Sequence, residues 1–493
     1  MFLKNILLEF DRILYIFAKR CEKITFKNKI TMLIRYSVEN FLSFNQRVVF
    51  SMIPGRGSLK NEHRSTPVEG VSALKASIIL GANASGKSNL VKAINFGRQL
   101  IIKGSKPGQI LDYKRFRLNT TSLHHNSRME YEIQAGGKNY AYGFVFNNTS
   151  IVEEWLYEIN KRSQKMIFER DMSSVNHYSL DPILKNIKSE EDRQFVKFIA
   201  KGTPDNQLLL SEFVFRKVDG SVEGLKDIRN VFNWFLNALK VIFPNTRYNE
   251  GIKSEISDNE KLQEVYEELL KYFGTGISGV SLKSIDLENS NIPRTVIETI
   301  REDLMNLNSE NVKSVLTIDK PNYRDTIIIS REGDDIRAEK FMTKHTVSGG
   351  GEVLFETGEE SDGTNRIIDF IPLIVDLLKG ENVFIIDEFE RSLHPNLIYD
   401  IFDLFLEFAA EVNSQLIATT HESSLLTQKL FRKDEIWFVV KNSMNESLIY
   451  SLEDYNVRFD KNIRKDYLLG RFKAIPRIGN RYELSVLKPS ANA

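Results

Sequence analysis

The stretch ALKASIILGANASGKSNL, residues 73–90, places an apolar run directly before a glycine-rich loop. Residues 76–80 have the pattern of a buried strand, and GANASGKS after them has the spacing Gly-x-x-x-x-Gly-Lys-Ser of a phosphate-binding loop. The glycines would let backbone amides converge on a phosphate, and a following helix would direct its positive end at the anion. The stretch therefore predicts a strand, a phosphate loop (residues 81–88) and a helix in succession.

The polar residues of the phosphate loop have predicted roles. Lys87 would reach the outer phosphates of a nucleotide, and Ser88 would ligate magnesium. The predicted nucleotide contacts are Gly81, Asn83, Ser85, Gly86, Lys87, Ser88 and Asn89. A glycine turn without a ligand is the alternative, and the flanking strand and helix disfavour it. We therefore expect ATP and Mg²⁺ as cofactors.

A second acidic element follows an apolar run at residues 382–388, with the sequence NVFIIDE. Four apolar residues would bury this strand and deliver Asp387 at its carboxyl end, beside the phosphate loop of an open α/β sheet. There Asp387 would hold magnesium, and Glu388 would polarise the attacking water. Paired with the phosphate loop, these two carboxylates (the acidic pair) predict nucleotide hydrolysis.

Three segments together give the sequence a family resemblance. GANASGKS, FIIDEFERSLHP and ATTHESSLL resemble the ABC-type ATPase heads of the RecF and SMC class. MLIRYSVENFLSF, EESDGTNRI and YLLGRFKAIP extend the resemblance to stand-alone bacterial ABC/AAA-like ATPases of anti-phage and abortive-infection operons, including the RloA type and the ATPase part of OLD proteins. The implied fold is α/β: a P-loop NTPase head of the ABC type with a mixed sheet and an inserted, mainly helical region.

The resemblance implies further site residues. Ser361, Gly363 and Thr364 would form a signature loop, residues 392–395 would contact a second subunit, and His421 would be a switch histidine that senses the terminal phosphate. In the resembling proteins the signature loop acts on the nucleotide of the other subunit, so two chains would enclose two ATP molecules. Alone, Ser-Asp-Gly-Thr is more often a capped turn, and a single histidine is more often a surface residue; their order and spacing favour the nucleotide roles.

Changes in pattern divide the chain into five predicted parts. These are an N-terminal extension at 1–31, an ATPase N-lobe with the P-loop at 32–215, a helical insertion ending in a hairpin at 216–345, a C-lobe with signature, Walker B and switch histidine at 346–456, and a basic tail at 457–493. Within them we expect a hairpin turn at Gly136-Gly137, a helix near 258–274 and a second hairpin turning at Gly333. Residues 1–31 are either translated from an upstream start codon or a basic amphipathic helix.

The composition excludes some partners. Lys plus Arg (67) nearly balances Asp plus Glu (66), so no global field attracts nucleic acid. Local basic runs after the phosphate-loop helix and in the tail could grip a phosphate backbone, although such runs are more often solvated faces. One cysteine, Cys21, fits a reducing compartment. Charges interrupt the apolar runs of the first 31 residues, so we expect a cytoplasmic protein without a membrane partner.

Two functions fit this pattern. The first is an ATP-hydrolysing regulatory subunit of a bacterial anti-phage defence system, whose ATP-dependent homodimer or higher homo-oligomer controls a separate effector, a nuclease or a toxin. About seventy residues follow His421, too few for the nuclease domain that OLD-type proteins carry. The alternative is a RecF- or SMC-like DNA-binding clamp in repair or maintenance, although the absence of sustained heptads argues against the SMC version.

Overall fold

The computed structural model describes residues 30–216, 223–246, 248, 256, 259–286, 294, 297–298, 301–302, 311–320, 323–332, 335–455 and 462–476. Apart from residues 30 and 31, the predicted N-terminal extension therefore lies outside the described residues. The chain forms two compact units. The first comprises Met1–Pro244, Lys379–Phe389 and Phe402–Ala493, and the second comprises Asn245–Leu378 and Glu390–Ile401.

The described chain contains both strands and helices, as expected for an α/β protein. The strands are β1 Met32–Glu39, β2 Val48–Ser51, β3 Ala76–Leu80, β4 Ser127–Ala135, β5 Lys138–Phe146, β6 Ile151–Ile159, β7 Gln164–Asp171, β8 Tyr178–Ser179, β9 Leu239–Ile242, β10 Gly279–Ile285, β11 Asn311–Lys320, β12 Tyr323–Glu332, β13 Asp335–Thr346, β14 Glu352–Glu356, β15 Val383–Ile386, β16 Gln415–Thr419, β17 Ile436–Lys441 and β18 Ser447–Ser451. The α-helices are α1 Lys87–Lys103, α2 Asp181–Lys185, α3 Glu190–Gly202, α4 Leu209–Phe215, α5 Lys226–Asn233, α6 Glu260–Tyr272, α7 Asp362–Lys379, α8 Pro395–Glu407 and α9 Ile463–Leu468.

The first unit contains an antiparallel sheet with the strand order β2-β1-β4-β5-β6-β7-β8. Its β4–β5 hairpin turns at Gly136 and Gly137, whose φ angles are 60° and 84°. Two consecutive positive φ angles define the tight turn that matches the twist of paired strands, and glycine adopts them without strain. The predicted Gly-Gly hairpin is confirmed.

A second sheet of the first unit positions the site. Its order is β18-β17-β3-β16-β15-β9. The strands from β17 to β9 are parallel, and β18 is an antiparallel edge strand. Every residue of β3, β15 and β16 is buried, as expected for central strands of a parallel sheet that are rich in apolar residues. The carboxyl ends of the parallel strands meet at one edge, where the phosphate loop and the acidic pair emerge.

The core of the first unit lies between the antiparallel sheet and helix α1. Tyr131 of β4 is fully buried, and its hydroxyl donates to the Ile94 carbonyl at 3.0 Å. Helix and sheet approach so closely here that a Cβ atom at Gly97 would lie 2.1 Å from the Tyr131 hydroxyl oxygen. Gln415, also fully buried, joins the two sheets, because its amide bonds both backbone groups of Leu33 at 2.9 and 3.0 Å and the Leu74 carbonyl at 2.7 Å.

The structure of the second unit differs from one expectation that we drew from the sequence. The insertion was expected to be mainly helical, but its described part holds an antiparallel sheet with the order β10-β13-β12-β11, and β14 pairs with β13. The helix near 258–274 is confirmed as α6, whose first turn is capped by the Asn259 side chain. The predicted hairpin is confirmed by the pairing of β12 with β13, while its turn residues 333–334 lie outside the described residues. Among the described residues, no helix combines the length and apolarity that crossing a bilayer requires.

Candidate nucleotide-binding site

The phosphate loop connects β3, which ends at Leu80, to α1, which begins at Lys87. Gly86 precedes the helix with a φ of 116°, no side chain caps the helix, and its first turn holds no acidic residue. The first turn therefore carries no acidic side chain of its own to offset its backbone amides, and the helix dipole adds positive potential. The predicted order of strand, loop and helix is confirmed, and its helix end suits an anion.

Close packing requires both glycines of the loop, and the positive φ at Gly86 is a further reason for glycine at that position. A Cβ atom at Gly81 would lie 2.3 Å from the Val439 carbonyl oxygen, and one at Gly86 would lie 2.2 Å from the Ser447 hydroxyl. Both distances are far below van der Waals contact. Any side chain at either position would therefore shift the loop backbone that has to follow the phosphates.

Hydrogen bonds from Ser447 and Asn89, which meet at Ser43, support the phosphate loop. The Ser447 hydroxyl donates to the Ser85 carbonyl at 2.6 Å and lies 2.8 Å from the Ser43 hydroxyl. Asn89, in the first turn of α1, donates its side-chain amide to Ser43 at 2.8 Å. Asn89 thus supports the loop through Ser43, and its predicted contact with a nucleotide stays a prediction. The sequence pattern carried no signal for Ser447, which lies more than 350 residues away.

The loop also presents groups that fit a phosphate. Lys87 is 5% exposed, and its ammonium donates to the Gly81 carbonyl at 2.8 Å and the Ala82 carbonyl at 3.3 Å. Ser85 is buried, and within the described part of the chain its hydroxyl has no hydrogen-bond partner. A buried hydroxyl without a partner, a buried cation and an uncapped helix end form a donor set that a polyphosphate would satisfy. Asn83 is exposed.

The acidic pair follows β15, and β16 lies between β15 and the phosphate-loop strand β3. Asp387 is 3% exposed, and its Oδ1 accepts a hydrogen bond from the Thr419 hydroxyl at 2.6 Å. Glu388 is half-buried, and its φ of 49° lies in the left-handed region. Asp387 and the half-buried Ser88 at the start of α1 supply the oxygen ligands that magnesium prefers, so the residues present fit a magnesium nucleotide.

His421 lies two residues after β16, at the same edge of the sheet, as the sequence predicted. It is exposed, and its Nε2 atom lies 3.0 Å from the Lys87 ammonium. His421 borders a cavity of about 380 Å³ beside Gly81, whose lining also includes Tyr467 and Ile475 of the C-terminal segment YLLGRFKAIP. Lys87, His421 and the acidic pair thus belong to one unit and one sheet edge. The sequence pattern had not assigned the C-terminal segment to this cavity.

The predicted signature loop lies in the second unit, at the start of α7. Ser361 is exposed, and its hydroxyl accepts the Thr364 amide at 3.1 Å and lies 2.9 Å from the Thr364 hydroxyl. Gly363 is half-buried, and a Cβ atom there would lie 3.4 Å from the Ser392 carbonyl oxygen, an ordinary van der Waals contact. In this structure Ser361 acts as the cap of its own helix, and its action on a nucleotide stays a prediction.

Two of the basic residues in and after the phosphate-loop helix serve internal contacts. The Arg98 guanidinium donates to the Phe235 carbonyl at 3.0 Å, and burial lowers the pKa of Arg98. Arg115 donates to the Tyr113 hydroxyl at 3.1 Å. These two arginines are therefore tied to the protein itself. Of the predicted basic tail, residues 457–461 and 477–493 lie outside the described residues.

A strand, phosphate loop and helix, with buried acidic and basic groups at one edge of a parallel sheet, define a P-loop nucleotide-binding protein. Over residues 77–202 and 283–427 the sequence matches the family described as "AAA domain, putative AbiEii toxin, Type IV TA system". These ranges make up more than half of the chain, and the chain belongs to this family. The prediction that the chain is a P-loop ATPase is thereby confirmed.

Solved structures of ATPase heads are similar to this chain at low scores. The SMC head domain from Thermotoga maritima has a TM-score of 0.34 at 12% identity, covering 85% of this chain and 98% of that one. The recombination mediator RecF bound to ATP has a TM-score of 0.32 at 13% identity, covering 86% and 98%. No curated protein matches the sequence. The family assignment therefore depends on the sequence match.

Proposed function

We propose that this protein binds and hydrolyses ATP as the cytosolic regulatory subunit of a bacterial anti-phage defence system. In this proposal an ATP-dependent homodimer controls a separate effector, a nuclease or a toxin. The observation that carries the ATPase part is the arrangement of Lys87, His421, Asp387 and Glu388 at one sheet edge beside an uncapped helix end.

The residues present would divide the chemistry among them. Lys87 would exchange its bonds to the Gly81 and Ala82 carbonyls for oxygens of the outer phosphates. Ser88 and Asp387 would hold the magnesium ion, which when bound supplies charge neutralisation to the phosphates. Glu388 would orient the water that attacks the terminal phosphorus, as the bond to the departing ADP oxygen breaks. His421, 3.0 Å from Lys87, would contact the terminal phosphate.

The regulatory part of the proposal is supported by the family and by the signature loop. The family description names a putative toxin of a type IV toxin–antitoxin system, and a toxin–antitoxin system pairs two components. Ser361 is exposed at the amino end of the 18-residue helix α7, where the dipole favours an anion. A second copy of the chain could therefore present its nucleotide to this loop.

Steady-state phosphate release by purified protein tests the ATPase site. We expect Lys87→Ala to lose both nucleotide binding and turnover, and Glu388→Gln to bind ATP but lose turnover by roughly 100-fold or more. Lys92→Ala is the matched control, because Lys92 is an exposed lysine on the same helix. Turnover by Lys87→Ala at the rate of the parent would reject the site.

Genetic context and DNA binding test the regulatory role. An adjacent reading frame that encodes a nuclease or toxin, with toxicity that changes on Lys87→Ala, is the expected result. ATP-dependent DNA binding by the purified protein, together with a neighbouring repair operon, would instead favour the DNA-clamp function.

A further inference from the structure

Thr419, the last residue of β16, contacts three consecutive residues of the acidic segment. Its hydroxyl donates to Asp387 Oδ1 at 2.6 Å and accepts the Glu388 backbone N–H at 2.9 Å. Its carbonyl accepts the Phe389 N–H at 3.0 Å. Thr419 is 1% exposed, so water does not compete for these bonds. No motif of the sequence assigned it a role.

The two hydroxyl bonds fix each other's direction. A backbone N–H can only donate, so the hydroxyl oxygen must accept from Glu388, and its single hydrogen is directed to the carboxylate of Asp387. A hydroxyl hydrogen bond to a carboxylate is charge-assisted and stronger than a neutral one. A carboxylate offers about four lone-pair sites, so this bond orients Asp387 and leaves acceptor capacity for a magnesium ion or its water shell.

The second bond supports an unusual backbone conformation. Glu388 has a φ of 49°, a region that residues other than glycine, asparagine and aspartate rarely adopt. Such strain persists where surrounding contacts enforce it, and it clusters at functional sites. The Thr419 hydroxyl supplies one of those contacts by accepting the Glu388 N–H. One side chain therefore orients the Asp387 carboxylate and also stabilises the turn that carries the Glu388 carboxylate.

We propose that Thr419 is a positioning residue for magnesium-dependent ATP hydrolysis. Its hydroxyl holds Asp387 in the orientation that binds magnesium and holds the Glu388 backbone in the orientation that directs its side chain to water. The inference rests on the proposed ATPase function of the same site. It assigns no contact between Thr419 and the nucleotide itself.

Paired substitutions separate the hydroxyl from the packing of the residue. Thr419→Val keeps the branched shape and removes the hydroxyl, whereas Thr419→Ser keeps the hydroxyl. For Thr419→Val we expect kcat to fall by about 10- to 100-fold, as is typical when an outer-shell partner of a metal ligand is lost. The magnesium concentration for half-maximal turnover should rise by a similar factor, and magnesium-free binding of a fluorescent ATP analogue should stay within about twofold. Thr419→Ser should retain turnover within about threefold.

A buried hydroxyl elsewhere in the same sheet provides the stability control. Ser77 of β3 is fully buried and donates to the Glu435 carbonyl at 2.9 Å, so Ser77→Ala removes a comparable hydrogen bond without touching the acidic pair. Its magnesium requirement should match that of the parent, and the melting temperatures of all variants establish that they fold.

The outcomes distinguish this inference from the proposed function. An active parent with a folded, kinetically unchanged Thr419→Val variant would overturn the positioning role alone. Equal impairment of the valine and serine variants would also overturn it, because packing rather than the hydroxyl would then be responsible. A parent without magnesium-dependent turnover would overturn the ATPase function, and the role of Thr419 with it.

Discussion

Lys75 is a buried cation one residue before β3, the strand that leads into the phosphate loop. Its side chain is 3% exposed, and its ammonium donates to the Ala409 carbonyl and, at 2.7 Å, to the Val412 carbonyl. Burial disfavours the charged form and lowers the pKa of Lys75 from its ordinary 10.5 to about 8. The neutral amine keeps two N–H groups, enough to donate to both carbonyls.

This lowered pKa predicts a pH dependence of stability. Between pH 8 and 10.5 the unfolded chain holds a proton that the folded chain releases, so this residue's contribution to the free energy of unfolding rises with pH. We expect the difference in unfolding free energy between the parent and Lys75→Met to grow by about 1 kcal/mol from pH 8 to 9, measured by urea denaturation. A difference that stays flat or shrinks over this range would show that Lys75 titrates normally.

Residue identities at the site were predictable where one motif contains them and unpredictable where distant segments meet. The phosphate loop and the acidic pair each lie in a short pattern whose chemistry follows from residue type and spacing, whereas the role of His421 was implied by the family resemblance. The contact of Thr419 with Asp387 spans 32 positions, and that of Ser447 with Ser43 spans 404. Hydroxyl residues are common in every segment, so nothing local indicates which of them supports a loop.

Helix α4 depends on a cap supplied by another element. Its own N-cap residue, Leu208, has no polar side chain, and the buried Glu154 of β6 accepts the amides of Leu209 and Leu210 at 2.6 and 2.9 Å. The Tyr142 hydroxyl donates to the same carboxylate at 3.0 Å. Removing the Glu154 carboxylate would take this acceptor away from three buried donors, two backbone amides and one hydroxyl.

We expect Glu154→Ala to lower the free energy of unfolding by about 3 kcal/mol, because buried polar groups that lose their partner carry the full cost of desolvation. Alanine is chosen because it removes the acceptor whether Glu154 is ionised or protonated, and burial raises the pKa of Glu154. Glu153→Ala, at a half-buried position of the same strand, should change stability by less than about 1 kcal/mol in the same urea titration. Similar losses in both variants would contradict the capping role.

At the level of elements, local patterns predicted hairpins and buried strands but missed the sheet of the second unit. The β12–β13 hairpin was predictable because its strands adjoin in sequence. β10 pairs with the same strand β13, yet about fifty residues separate them along the chain. Pairing at that distance is set by tertiary contacts and leaves no periodic signal, so the sequence predicted only the local features of this region, such as helix α6 and the hairpin at Gly333.

For the whole molecule, the proposed function requires two copies to meet only when ATP is bound. The acidic pair and the signature residues belong to different compact units, and the signature loop exposes Ser361. A chain with nearly balanced charge has no strong net repulsion between copies, so under the proposed function short-range contacts at the nucleotide would decide association. Slowing hydrolysis should therefore favour the dimer.

We expect Glu388→Gln protein with ATP and Mg²⁺ to sediment at twice its 56.9 kDa mass, and the same protein without nucleotide to sediment as a monomer. Adding Ser361→Arg should prevent the dimer while ATP binding stays within about threefold, because the bulky cation obstructs the exposed signature loop, whereas the phosphate loop belongs to the other compact unit. Ser58→Arg, at an exposed serine of the first unit, is the matched control and should still dimerise. A dimer that forms without nucleotide, or a dimer that Ser361→Arg does not prevent, would show that self-association is independent of the nucleotide site. Either result would contradict an ATP-controlled effector.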